Sequence, residues 1–160
     1  GHWEGDLIIG ASNRSAVGTL VERTTRFVIL VKMDGTTATD AMVGFSDKLN
    51  CVPRSLRLSM TYDQGIEMVK HAEITQRTGT AIYSADPHSP WQRGSNENTN
   101  GLLRQYLPKG TDLSTYTQEE LDEIADSLNT RPRETLNAKT PLEVYAEVLQ
   151  KSVPGSPTLQ

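Results

Sequence analysis

Three short runs of aliphatic and β-branched residues open the chain, Asp6 to Gly10, Ala16 to Glu22 and Phe27 to Met33, before any segment with helical spacing. Each has the length and composition of a strand. The connections between them, with Asn13 in the first and Thr24 and Thr25 in the second, are short enough for antiparallel hairpins. The period then changes. Ala38, Ala41, Met42, Phe45 and Leu49 recur at helical intervals, so residues 37–49 are predicted to form a helix with Thr36, Thr37 or Thr39 as its N-cap. A fourth strand is predicted over Ser55 to Met60. A second helix, Ile66 to Arg77, is closed by Thr78 and Gly79, where glycine can take the left-handed cap, and a fifth strand follows over Thr80 to Ser84.

After a proline-punctuated stretch, Ala85 to Pro90, another helical pattern runs from Trp91 to Leu107. Thr99, Leu102, Leu103 and Tyr106 form one buried stripe at i, i+3, i+4 and i+7. At about 100° per residue, Arg93, Glu97, Asn100, Gly101 and Arg104 gather on the opposite face. Two more helices are predicted over Thr117 to Asn129 and Pro141 to Leu149. Three meandering strands followed by alternating elements predict an α/β fold, a mixed five-stranded sheet flanked by helices. Residues 1–150 are expected to form one domain and residues 151–160, rich in proline, glycine and serine, a flexible tail.

Composition narrows the function classes. The 160 residues, 36% of them hydrophobic, suffice for one compact core, and no apolar run is long enough to span a bilayer, so no membrane partner is expected. The single cysteine, Cys51, cannot form an intramolecular disulfide and no leader-like segment precedes Trp3. A reducing cytoplasm is therefore the expected compartment, with Cys51 a small, partly buried residue at a helix end. The net charge of −4 argues against a self-sufficient nucleic-acid binder, which usually carries a basic stripe. The bases are nevertheless uneven. Arg93, Arg104 and Lys109 surround Glu97, and Arg131 with Arg133 forms an Arg-Pro-Arg further on. Such clusters serve either as phosphate contacts or as solvated surface.

Three acids occupy distinct settings: Asp6 in HWEGDLIIGA, Asp63 in LSMTYDQGIE and Glu97 in PHSPWQRGSNENTNGLLRQY. The first two lie at strand-like runs and the third lies on a helix with arginines on its face. Carboxylate oxygens suit a hard divalent cation and guanidinium forks suit phosphate, so the three read as a divided metal site beside a DNA-binding face comprising Arg93, Asn100, Arg104 and Lys109. Other acids compete. Glu4 would share the face of Asp6 if the first strand began early enough. Glu67 fits the first turn of the following helix, and Asp86, before Pro87, fits a turn. His88, Asn98 and Trp91 each have local roles, with Trp91 best read as an anchor that locks the Glu97 helix onto the sheet.

The segments HWEGDLI, VERTTRFVIL, TYDQGIE, DPHSPWQRGSNENTNGLLRQYLPKG and LNTRPRETLNAKTPLEVY cover nearly the whole chain. Together they resemble the catalytic core of DDE transposases and retroviral-type integrases, and are most similar to the insertion sequence 30 family of bacterial transposases. The resemblance implies a ribonuclease H-like fold, with the first acid on the first strand, the second just after the fourth, and the third on a following helix. Asp6, Asp63 and Glu97 match those places, and the 33 residues between the last two fit the short second gap of the family. The resemblance also implies two ions of Mg²⁺ or Mn²⁺ in the active complex, with Asp6 bridging them and Asp63 and Glu97 each completing one site. It further implies DNA as partner and a homo-oligomer that brings two DNA ends together. Cleavage by water would expose a 3′-OH that then attacks a second phosphodiester, with no covalent enzyme intermediate.

Glutamine in DQG, where asparagine is the commoner middle residue, changes no ligand. The helix-turn-helix region that recognises DNA ends in the family has no counterpart here, so an excised catalytic core is expected, and its acidic charge then ceases to contradict DNA. Two alternatives stay open. A nuclease of the same fold would hydrolyse without joining strands, and a degenerate module would bridge DNA or dimerise without catalysis.

Overall fold

The computed structural model describes residues 1–62, 70–85 and 94–152. Its first three strands are β1 (His2–Ile9), β2 (Ala16–Glu22) and β3 (Val28–Lys32), paired antiparallel in a meander. The helix α1 (Ala38–Leu49) leads to β4 (Ser59–Tyr62), and α2 (His71–Thr78) leads to β5 (Ala81–Ser84). These two strands add in parallel beside β1, which gives the sheet order β3-β2-β1-β4-β5. Three helices follow: α3 (Gly94–Leu103), α4 (Gln118–Asn129) and α5 (Pro141–Ser152).

Local signals account for most of these boundaries. Thr37 caps α1 and Thr117 caps α4, each in a capping box closed by the acid three residues on, Asp40 and Glu120. Gly79 ends α2 at φ 73°, the left-handed conformation that a residue without Cβ adopts at low cost.

The sheet is covered on both faces. Trp3, Leu20, Val31, Phe45, Met60 and Ile74 belong to one core, with Tyr145 of α5 stacked on Phe27 and edge-on to Trp3. Ile8, Val17, Val21, Val28 and Leu30 belong to the second, packed by Leu103 and Leu107 at and beyond the end of α3 and by Leu121, Ala125 and Leu128 of α4. Every residue of β2 is buried, as expected of a strand with neighbours on both edges and helices on both faces. Its Gly18 makes room for α1, since a Cβ there would lie 2.5 Å from Met33 Cε and 3.2 Å from Phe45 Cε1.

Three expectations are corrected. β1 begins at His2, four residues before Asp6, because Trp3 and Glu4 are buried and paired with Glu22 and Val21 of β2. The fourth strand lies at Ser59–Tyr62 and not over Ser55 to Met60. Arg54–Leu56 turns instead, held because the Trp3 indole donates to Leu56 O at 2.7 Å and Arg57 donates to the carbonyls of Leu49, Val52 and Thr78. Cys51 is exposed just beyond α1, its thiol near Asp47 O at 3.4 Å. Residues 63–69, with the start of the second helix, and the tail from residue 153 lie outside the described residues.

Candidate active site

The site begins with the alternation of β1. Side chains of successive strand residues point to opposite faces. Trp3 belongs to the core beneath α1 and α5 and Ile8 to the core beneath α3 and α4, so Glu4 and Asp6 share the face of Ile8. That face carries α3.

Asp6 sits in the middle of the sheet, opposite Thr19 of β2. Its carboxylate is held at both oxygens: Leu7 N donates to Oδ1 at 2.8 Å and Asn100 Nδ2 donates to Oδ2 at 2.8 Å. A carboxylate that accepts two N–H bonds is fixed in orientation. Thr19, fully buried, donates its hydroxyl to Asp6 O at 3.4 Å.

Asn100 contributes a second feature. Its Oδ1 is buried and, among the described residues, accepts no hydrogen bond. An orphaned amide oxygen costs about 1–3 kcal/mol of desolvation, so a donor is expected to complete it in the functional state. A water is such a donor, and the carboxylate of Asp6 is an oxygen ligand of the type that suits a hard divalent cation.

Glu97 lies on α3 three residues before Asn100, within about one helical turn of the residue that grips Asp6. Asp63 immediately follows the last residue of β4 and lies outside the described residues, as do Glu67, Asp86, His88, Trp91 and Arg93. Among the described residues no group of three His, Cys, Asp or Glu side chains is brought together.

The remaining candidates are placed as follows. Glu4 is 1% exposed, with Arg23 Nε 3.9 Å from Oε1, so it lies inside the fold on the face of Asp6. The α3 stripe is as expected in its buried members, with Thr99 and Leu103 inside, while Gly101 is exposed with open space around it. Arg104 is half-buried and donates to Leu107 O at 3.3 Å, and Lys109 is exposed. Sequence reasoning placed Asn100 among DNA contacts and missed its bond to Asp6. A carboxamide on the acid-bearing face of the Glu97 helix was the available signal.

Known proteins resemble the chain in sequence and in fold. The family model described as "Integrase core domain" matches residues 1–90. The chain is 66% identical over 149 residues to the transposase for insertion sequence element IS1086 of Cupriavidus metallidurans, covering 93% of this chain and 44% of that protein. It is 51% identical over 144 residues to transposase InsI for insertion sequence element IS30A of Escherichia coli K12, covering 90% of this chain and 37% of that protein. It thus spans less than half the length of these relatives. Among solved structures, the catalytic core domain of BIV integrase superposes with a TM-score of 0.67 at 17% identity, covering 94% of this chain and 96% of that one. A chain of the simian T-cell lymphotropic virus intasome in complex with PP2A regulatory subunit B56 gamma gives a TM-score of 0.68 at 17% identity, covering 99% of this chain and 55% of that one. At such identities the likeness establishes the fold, which is that of retroviral integrase cores and is ribonuclease H-like.

Proposed function

Because the chain belongs to the integrase core domain family, alongside the transposases of insertion sequence 30, we propose that it cleaves transposon ends and transfers the resulting 3′-OH strand with Asp6, Asp63 and Glu97 as its acid triad. The observation that carries this reading is the bond from Asn100 to Asp6, which docks the helix bearing Glu97 against the strand bearing the first acid.

Mg²⁺ or Mn²⁺ held by the three carboxylates would supply charge neutralisation at the attacking and leaving oxygens of a phosphodiester. The chain's own contribution is positioning. Asp6, tied at both oxygens, presents a carboxylate that need not reorganise when substrate arrives. Asn100 holds that carboxylate and keeps one buried acceptor for a water in the site. Arg93, Arg104 and Lys109 are assigned to phosphates of the bound strand, and Asn100 acts through Asp6. DNA is the substrate and partner, and a homo-oligomer pairs two ends. The setting is the bacterial cytoplasm. No helix among the described residues is long and apolar enough to cross a membrane.

The test is Mn²⁺ titration by calorimetry of the wild type, Asp6→Asn and Glu97→Gln, followed by cleavage of a labelled duplex. Binding and cleavage that both substitutions abolish support the triad. Equal behaviour of all three proteins would reject it.

A further inference from the structure

The Arg-Pro-Arg segment is left unused by the triad, and the fold gives it company. Asn129, the last residue of α4, is 2% exposed and clamps the start of β3: Val28 N donates to its Oδ1 at 2.8 Å and its Nδ2 donates to Val28 O at 2.9 Å. That clamp sets the chain leaving α4, with Arg131 and Arg133, beside the turn between β2 and β3. The same turn carries Arg26 at φ 63°, and Glu22 organises it by accepting from Thr24 N and Thr25 N. Arg131 Nη2 donates to the Tyr106 hydroxyl at 2.9 Å, and Arg133 is bracketed by its own backbone bonds to Lys139 and Ala138.

All three arginines are half-buried, and among the described residues none forms an ion pair. Desolvation, together with the charges of Arg26 and Arg131, holds the Arg133 guanidinium below its ordinary pKa. Like charges drawn together without an ion-pairing partner oppose folding, and the opposition ends when an anion enters among them. Each guanidinium offers a fork of N–H donors, of which Arg131 commits one group to Tyr106.

We propose that Arg26, Arg131 and Arg133 form a phosphate-binding site for the DNA backbone, separate from the acid triad. The proposal rests on the reading of this chain as a DNA-processing core. Position favours DNA over a small phosphate. Tyr106 lies six residues beyond Asn100, in the turn that follows α3, so Arg131 is tied to the far end of the segment whose near end holds Asp6. A strand whose reacting phosphodiester lies at Asp6 would run along that segment to the arginines.

The experiment is fluorescence anisotropy of a labelled duplex, titrated with this chain in EDTA at several salt concentrations. Arg26→Ala and Arg133→Ala break no side-chain hydrogen bond, so they test charge without disturbing the fold, and Arg131→Ala is compared with them. Each is expected to weaken binding severalfold and to reduce the salt slope by about one. Asp6→Asn is expected to bind like wild type in EDTA while losing cleavage in Mn²⁺. Wild-type affinity and slope in all three arginine variants would overturn the site and leave the triad reading intact. A wild type that neither binds nor cuts duplex would reject that reading, and the site with it. Displacement of duplex by inorganic phosphate at constant ionic strength would assign the arginines to a small anion and also overturn the proposal.

Discussion

At the scale of the residue, Asn100 and Glu22 show how a buried oxygen gains meaning from what faces it. Asn100→Ala removes the donor at Asp6 Oδ2 without touching Leu7 N at Oδ1. Loss of such a supporting group typically weakens metal affinity by about 10–100-fold, so Mn²⁺ calorimetry should register that drop with the fold unchanged by circular dichroism. Asn100→Asp places a second carboxylate beside the first. Like charges raise a carboxyl pKa, so the pH at which cleavage sets in should move upward in that variant. Glu22 is governed by a different balance: burial raises its pKa, but hydrogen bonds from Thr25 oppose that rise and the group lies below its ordinary value. A depressed carboxyl pKa stabilises the fold above the unfolded-state pKa, and that stability is lost as pH falls through the folded-state value. Glu22→Gln should therefore be less stable than wild type to urea at neutral pH, and the gap should close in acid.

At the scale of the element, α4 is the most exposed to a single change. Asn129→Ala leaves both Val28 N and Val28 O buried without partners. At about 1–3 kcal/mol for each of the two unsatisfied groups, a loss of roughly 2–6 kcal/mol is expected in urea unfolding. Thr117→Ala, which removes only the cap at the other end of the same helix, should cost about 1 kcal/mol. The contrast marks what a sequence discloses. The helix starting at Thr117 was legible, and its capping partner Glu120 is a local signal three residues away. The clamp at Asn129 was not legible, because its partner lies 101 residues back. The fourth strand failed for a related reason. Leu56, Leu58 and Met60 alternate like a strand, but Leu56 is buried in a turn under Trp3 and Leu58 is 51% exposed. Arg57, which fixes that turn through three distant carbonyls, carries no local signal of doing so.

At the scale of the whole molecule, the mixed five-stranded sheet was legible in the alternation of elements but its strand order was not, and Asp6 and the Glu97 helix were assigned to the site from sequence. Their meeting, through a side chain 94 residues from Asp6, is a product of tertiary packing. That packing depends on close approach at Gly18, where α1 meets the sheet. Gly18→Ala would press a methyl into Met33 and Phe45 and should destabilise by about 1–3 kcal/mol, measured as a lowered melting temperature. The position of β1 has a consequence of another kind. It is flanked on one side by β2 over its length and on the other by β4, with helices above and below. Amides of such an interior strand exchange with deuterium only when the whole domain opens. The first acid is borne by that strand, one residue beyond the part paired on both edges, so heat should erase its placement and the secondary structure in a single cooperative event.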